Sequence, residues 1–487
     1  MNNPSTVAAQ ALVRADFDLP LPACISLGGD QPPITCDRLL RLLPGRRVVL
    51  SGRWSHEGQE QRVVLKLFFR EKDWLKEMDG YQRLCESMIT VPACLLGWEA
   101  EDKDVHALVY EYIEGQSLYS LWQEASSQEA KTAYMVQAAE VVAKLHDHGL
   151  CQTDIHLDNF MVSQNTLYTL DAGTVEQGIS PLDKKTSLGN LALMLAQVPA
   201  KHDGQIAEIC EAYNNTNPCV QFEPEEVKQE TVKRRSLRWR HYKKKLFRSC
   251  TEFIAEKSSK RFQVWRRDCD SPALQSLLAN PDAYIDVGEK LKEGNSATVA
   301  KVEVDGKKLV VKRYNLKNWR HRLSRCWRPT RAWCSWINAH LLGFSGIQTP
   351  RPIAMIEERN GPLRGRGFFI AEACDSPDML QVVSKLETGT SRSRLEELSQ
   401  QVKEVFDALW MSRIVHGDMK ATNLLVTEEG ISVIDLDAMV ESQNPTLSKG
   451  LTKDLQRFLK NWQGETQAAF AKALQPFAEL LESSTSG

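Results

Sequence analysis

Two short polar stretches in this chain have the residue types to hold a metal-bound phosphate. One reads Gln152-Thr-Asp154-Ile-His156-Leu-Asp-Asn159, the other His416-Gly-Asp418-Met-Lys420-Ala-Thr-Asn423. Each runs into an apolar stretch that closes on a further carboxylate, Asp171 after LYTL and Asp435 after ISVI. Upstream of each, an apolar strand carries one lysine: Lys66 in VVLKLFF and Lys312 in LVVKRYN. A charge inside an apolar strand is costly unless paired, so these lysines need partners. Phosphoryl transfer from a nucleotide uses these parts. An ammonium grips the phosphates, an amide and a carboxylate hold Mg²⁺ through hard oxygen atoms, and a second carboxylate takes the proton of the accepting hydroxyl. A single Asp before a helical turn is more often a cap, and Asn favours loops. Here the same types recur twice at the same spacing, which favours chemistry.

The recurrence extends beyond the loops. Asp154 and Asp418, Asn159 and Asn423, and Asp171 and Asp435 all stand 264 residues apart. Upstream, LCESMITVP from Leu84 to Pro92 aligns with LGFSGIQTP from Leu342 to Pro350 at an offset of 258. The lysine strands align at 246, so the second copy carries twelve extra residues before its next helix. Three blocks in one order imply an internal duplication, the first feature to seek in a long chain.

The elements that must position these groups follow from periodicity. Alternating apolar runs predict strands over 47–52, 62–69 and 106–112, and three- and four-residue spacing predicts helices over 71–87 and 128–146. In the second half the same reading gives strands over 285–291, 297–304, 308–314 and 367–372, and helices near 331–343 and over 393–411. Each half is then a small β-rich lobe followed by a helical lobe, an α+β class. The expected boundaries are an N-terminal extension over 1–29, a first domain over 30–268, a linker over 269–279 with Ser271-Pro272 and Asn280-Pro281 as breakers, and a second domain over 280–487 with a short helical lobe.

Composition fits two soluble domains. The chain has 487 residues, 42% hydrophobic and 25% charged, with 61 Lys+Arg against 63 Asp+Glu for a net charge of −2. That excludes a collagen, a disordered tail and a disulfide-rich miniprotein, and gives no global pull toward nucleic acid. The 12 cysteines form no CxxC pair and no zinc spacing, and read as reduced thiols of a cytoplasmic protein. The N-terminus lacks the cationic start and apolar core of a signal peptide, and no apolar run approaches a bilayer span.

The lysine strand, the Asp-x4-Asn loop and the closing Asp resemble the protein-kinase-like fold, here in tandem. More narrowly, HGDMKATNLLV, VIDLDAM, KDLQRFLKNW at 453–462 and Gly346-Ile-Gln-Thr-Pro350-Arg-Pro352 resemble the lipopolysaccharide core kinases of the Kdo/WaaP type in Gram-negative bacteria. The resemblance implies ATP and Mg²⁺ as cofactors and residue roles in both halves. Lys66 and Lys312 would hold phosphates, and Glu77 on the following helix would pair with Lys66. Asp154 and Asp418 would be bases, with Lys420 beside the second. Asn159, Asp171, Asn423 and Asp435 would ligate the metal. The segment Leu291-Lys-Glu-Gly294-Asn-Ser-Ala297-Thr-Val299 keeps the middle glycine of a phosphate-binding loop, with Ala297 as a small substitute for the last, and both would approach the nucleotide. Departures are visible too. Ser335 stands where Glu77 would recur, Gln152 replaces the usual loop histidine, His156 replaces the lysine after the base, and the first half shows no glycine-rich loop.

Two basic segments remain. Residues 233–248 (KRRSLRWRHYKKKLFR) hold nine Lys/Arg interleaved with Trp239, Tyr242 and Phe247, and 320–331 (RHRLSRCWRPTR) is the other. They read either as solvated helix faces or as cationic surfaces for anionic lipid and phosphorylated sugar. The expectation is an ATP- and Mg²⁺-dependent phosphotransferase acting on a sugar hydroxyl of the lipopolysaccharide core or a lipid-linked sugar. It would be cytoplasmic or peripheral on the inner face of the cytoplasmic membrane, with no nucleic-acid partner. A partly degenerate pseudokinase scaffold and a Ser/Thr protein kinase are the alternatives, the first suggested by Ser335 and Gln152.

Overall fold

The structure, a computed structural model, describes residues 5–15, 19–29, 31–56, 58–315, 327–386 and 392–484. The chain divides into two compact units, residues 1–197 with 204–235, and residues 198–203 with 236–487. Both mix strands and helices.

The first unit is built on a seven-stranded sheet. Across it lie Ser5–Ala8, Ala23–Ser26, Ile34–Leu43, Arg47–His56, Gln59–Phe68, His106–Glu111 and Cys94–Glu99. The lysine strand shows how period-two alternation places a charge. Val63, Leu65 and Leu67 point into the core with no exposed surface, so Lys66 between them faces the other way. Full burial of each such side chain contributes about 1.5–3 kcal/mol, which fixes the register and with it the direction of Lys66. The strand pairs with both neighbours, Val49 and Leu108 lying opposite Lys66. The helix Glu71–Glu86 follows, buries Glu77, Gly80 and Leu84, and ends within a residue of the expected position. Then come Leu118–Glu124, the long helix Gln128–Asp147, and the helices Lys184–Leu195 and Ile206–Thr216. Short hairpins lie between them: Leu150–Gln152 pairs with Val175–Gln177, and Phe160–Ser163 with Thr166–Thr169.

The second unit also has a seven-stranded sheet. Its sheet runs Phe253–Lys257, Arg261–Arg266, Pro352–Asn360, Leu363–Glu372, Lys307–Tyr314, Ala297–Val304 and Glu289–Glu293, with every pairing antiparallel. Val299 and Phe369 lie opposite Lys312. The helix Arg331–Phe344 packs on this sheet, and Met379–Leu386, Arg392–Met411, Thr446–Leu459 and Gly464–Ser483 form the helical part.

Several expected boundaries move. The stretch read as an N-terminal extension supplies Ser5–Ala8 and Ala23–Ser26 to the first sheet, where Ala23 and Ile25 are fully buried. Residues 253–266, expected in the first domain, form two strands of the second sheet. The supposed linker is largely the helix Pro272–Ala279, anchored by Leu274, Leu277 and Leu278 and capped by Ser271, which accepts from the Leu274 N–H at 3.1 Å. Asn280 caps Pro281–Val287 in the same way. The two prolines read as breakers occupy the first helical turn, where a missing N–H costs nothing. Tyr284–Val287 is therefore helical, and the strand expected over 285–291 is Glu289–Glu293.

The basic segment 233–248 is the C-terminal half of the helix Pro224–Lys245 and the turn after it. Its aromatics face inward. Trp239 and Leu246 are buried, Tyr242 donates to Glu252 at 3.0 Å, and Phe247 stacks on Trp333 with 3.8 Å between centroids. Lys233, Arg240, Lys244, Lys245 and Arg248 are exposed. Of the segment 320–331, residues 320–326 lie outside the described residues. All eleven described cysteines are free thiols, and no helix among the described residues is long and apolar enough to cross a membrane.

Candidate active sites

In the second unit the loop His416–Asp418 hangs from a buried carboxylate. Asp454, on the helix Thr446–Leu459, accepts from the His416 N–H at 2.8 Å and from the Gly417 N–H at 3.0 Å. Burial pushes the Asp454 carboxyl up, against these backbone N–H bonds. His416 is buried, which drives its imidazole toward the neutral form against the pull of Asp454. Its ring bonds require one tautomer: Nε2 donates to the Ile434 carbonyl at 3.1 Å, and Nδ1 accepts from the Asp418 N–H at 3.3 Å. The histidine is thus a brace and carries no mobile proton. Asn423 Nδ2 donates to the Asp418 carbonyl at 2.8 Å, which closes the loop.

That bracing leaves the Asp418 carboxylate half-buried, with Oδ1 out of contact with solvent. Lys420 Nζ donates to Asp418 Oδ2 at 2.9 Å, and the Arg457 guanidinium lies 3.0 Å from Oδ1. Asp435 sits in the left-handed region, φ 63°, at the turn into Leu436–Ala438. It pairs directly with Lys312, which also lies 3.7 Å from Asp437. Arg331 pairs with Asp437 and donates to the Ser296 carbonyl at 3.2 Å. Burial opposes both charges of the central pair. For Lys312, Tyr314, Asp435 and Asp437 outweigh burial and raise its pKa; for Asp435, Lys312 and an Asp437 hydrogen bond outweigh it and hold the carboxyl well below the usual range. Ser335 hydrogen-bonds the Tyr314 hydroxyl at 2.6 Å inside the protein, so Lys312 takes its counter-charge from Asp435 and Asp437. Gly294 closes a tight turn, its N–H donating to the Ala297 carbonyl at 3.2 Å, but a Cβ there would meet only that oxygen at 3.6 Å. The turn does not require glycine. Ala297 is buried.

In the first unit Lys66 pairs with Glu77, which is 1% exposed and accepts from the Gly173 N–H at 3.1 Å. Asp171 has the same left-handed backbone as Asp435, φ 59°. Two arginines missed in the sequence stand beside it. Arg47 Nη1 lies 3.6 Å from both Glu77 and Asp171, and Arg41 Nη1 lies 3.8 Å from Asp171. Asp154 is exposed, and Asn159 Nδ2 donates to its carbonyl at 3.0 Å. A cavity of about 460 Å³ lies here, lined by Arg41, Arg47, Lys66, Glu77, His156, Asn159 and Asp171, with Val49, Val64, Met161 and Tyr110 as apolar walls. Asp154 is not in its lining.

The hydrogen bonds of the two units match at the offsets read from the sequence. His416 to the Ile434 carbonyl corresponds to Gln152 Nε2 to the Leu170 carbonyl, 2.7 Å. The Val433 N–H donates to Gln348 as the Thr169 N–H does to Thr90, each at 2.8 Å. Asp454 corresponds to Asn190, which donates to the Gln152 carbonyl at 2.7 Å. Gly80 corresponds to Asn338. A Cβ on Gly80 would lie 2.0 Å from the Ala172 carbonyl oxygen, whereas Asn338 Nδ2 donates to the matching Leu436 carbonyl at 2.7 Å. Gly80 lets the Glu77 helix touch the Asp171 turn. Gly→Ala in a helix ordinarily stabilises by about 1 kcal/mol. Gly80→Ala is expected to destabilise by about 1–3 kcal/mol through overpacking. Urea unfolding checks this, and a raised midpoint would contradict the close approach.

The metal-ligand question turns on donor chemistry. Among the described residues no cluster of three or more His, Cys, Asp or Glu side chains is placed to hold an ion. Mg²⁺ at a nucleotide needs only one or two carboxylates, with phosphate and water completing its shell, and Asn423 with Asp435 fit that requirement. Asp454, Asp437, Arg331 and Arg457 were not singled out from the sequence. Asp454 and Arg457 lie within KDLQRFLKNW and Asp437 within VIDLDAM, so each belonged to a phrase already noted without a role of its own.

Comparison with known families gives a likeness to a kinase-like domain. Residues 371–473 match the family model of the RIO domain, an atypical protein-kinase-like family of ATP-binding phosphotransferases. No curated protein matches the chain. The matched stretch includes Asp418, Lys420, Asn423, Asp435 and Asp454, and begins downstream of Lys312. Where the sequence motifs resemble lipopolysaccharide core kinases, the likeness found is to the RIO domain, and kinase-like character is what the two share.

Proposed function

We propose that the chain is a tandem of two kinase-like domains, and that the second transfers the γ-phosphate of ATP, with Mg²⁺, to a sugar hydroxyl of the lipopolysaccharide inner core. The observation that carries the phosphotransferase reading is the meeting of Lys312, Asp435 and Asp437 in one ion-paired cluster, in a unit whose braced loop presents Asp418 and Asn423. On this reading Asp418 accepts the proton of the incoming hydroxyl. Lys420 and Arg457 hold it in place through their contacts with its two oxygens. Lys312 exchanges Asp435 for phosphate oxygens when ATP enters, which frees the Asp435 carboxylate beside Asn423. Mg²⁺, when bound, neutralises phosphate charge and orients the leaving group. The matching hydrogen bonds at fixed offsets support the tandem reading. In the first domain Lys66, Glu77, Asp154, Asn159 and Asp171 stand at the matching positions, but Gln152, His156 and the arginines on Asp171 make it the poorer catalyst.

The sugar acceptor rests on the resemblance of HGDMKATNLLV and its companions to core kinases. The exposed cations of 233–248 support docking on an anionic membrane surface, with the aromatics serving the core. The RIO-domain likeness favours a second reading, a polypeptide hydroxyl as acceptor. Mass spectrometry of lipopolysaccharide from cells lacking the protein separates the two. Loss of a phosphate increment from the core is expected; an unchanged core together with labelled polypeptide would transfer the assignment to the second reading.

A further inference from the structure

The strand registers reveal a substitution that motif comparison alone does not. Val49 lies opposite Lys66, and Val299 opposite Lys312. Two residues earlier on the same strands stand Arg47 and Ala297. At the position where the second unit has a small buried residue, the first has a guanidinium directed at Asp171 and Glu77. The connection before it is the tight turn Pro44-Gly45-Arg46, with Gly45 at φ 66°, so no long loop of backbone N–H groups covers the cavity. Arg41, from the preceding strand, adds a second guanidinium on the other oxygen of Asp171.

We propose that the cavity of the first unit binds the polyphosphate of a nucleotide without a divalent metal, Arg47 and Arg41 supplying the two positive charges that Mg²⁺ would bring. This rests on reading the first unit as a nucleotide-binding kinase-like domain, and assigns it a binding role distinct from transfer. Three facts support it. The separations of 3.6–3.8 Å set two cations beside Asp171 but are too long for hydrogen bonds, so these guanidinium N–H groups remain available to phosphate. Arg47 Nε is buried and has no hydrogen-bond partner. With Arg47 in place the cavity still offers about 460 Å³ and apolar walls, within the range of small-molecule sites. A metal approaching Asp171 would meet both guanidiniums, whereas phosphate would meet donors arranged for planar, bidentate contact.

The test uses the full chain carrying Lys312→Met, which removes the phosphate grip of the second unit. ATP binding is measured by titration calorimetry in EDTA and again in excess magnesium chloride. Comparable affinity in both is expected, within about threefold. Adding Arg47→Gln should weaken binding in EDTA by about tenfold or more, with Arg41→Ala on the half-exposed neighbour acting in the same direction and a thermal melt confirming that each variant folds. Binding that needs magnesium, or that tightens when Arg47 is removed, would overturn the proposal. Absence of ATP binding in both buffers would also overturn it and would remove the first unit's nucleotide role, while leaving transfer by the second unit standing.

Discussion

Lys312→Met is expected to lower phosphate transfer by about 10²–10³-fold, the loss typical of removing one preorganised electrostatic contact from a transferring phosphate. The structure makes the effect steeper than loss of a surface cation. Lys312 is mostly buried, and its ammonium is the direct partner of Asp435. Without it, Asp435 and Asp437 face each other with Arg331 as the nearby counter-charge, and ATP meets carboxylates where it should meet an ammonium. Lys312→Arg is expected to recover little, because a planar fork does not replace a point charge on a stem of fixed reach. Initial rates at saturating and limiting ATP check this. A change confined to KM would place Lys312 in binding alone, and no change would remove it from the site.

Asp418→Ala has the larger expected effect, about 10²–10⁴-fold on kcat, the usual contribution of a positioned general base. The fold leaves little room for a substitute. Asp454, His416 and Asn423 all act on the backbone around Asp418 and hold one half-buried carboxylate against Lys420 and Arg457. Asp418→Asn keeps the shape and should retain ATP binding while losing transfer, which separates a chemical role from a structural one. Asp154→Ala is expected to cost less than about tenfold, since that carboxylate is exposed and lies outside the lining of the first unit's cavity.

Much of this arrangement was legible in the residues. The strands around Lys66 and Lys312 announce themselves by alternation, because one face is buried and a one-residue slip would turn the core outward. The constant offset of the Asp, Asn, Asp set anticipated matching hydrogen bonds down to the Gln152–Leu170 and His416–Ile434 pairs. Ser335 bonds the Tyr314 hydroxyl, and Lys312 finds its counter-charge in Asp435 and Asp437 instead. What stayed hidden has physical causes. Pro272 and Pro281 look alike as breakers and as helix starts, and only the burial of Leu274, Leu277 and Leu278 decides. Trp239 and Phe247 among nine cations look like a membrane face until the fold buries Trp239 and stacks Phe247 on Trp333. Arg41 and Arg47 carried no signal, and Arg331 and Arg457 lay in stretches noted only for other reasons, because a surface arginine and one aimed at a carboxylate differ only in the fold around them.

The most direct test is transfer of labelled γ-phosphate from ATP with magnesium by the wild-type chain, Asp418→Ala and Asp154→Ala side by side, with core oligosaccharide and polypeptide both assayed for label. Label transferred by the wild type, nearly abolished in Asp418→Ala and largely kept in Asp154→Ala is the predicted result. Undiminished transfer by Asp418→Ala would contradict the assignment of catalysis to the second unit.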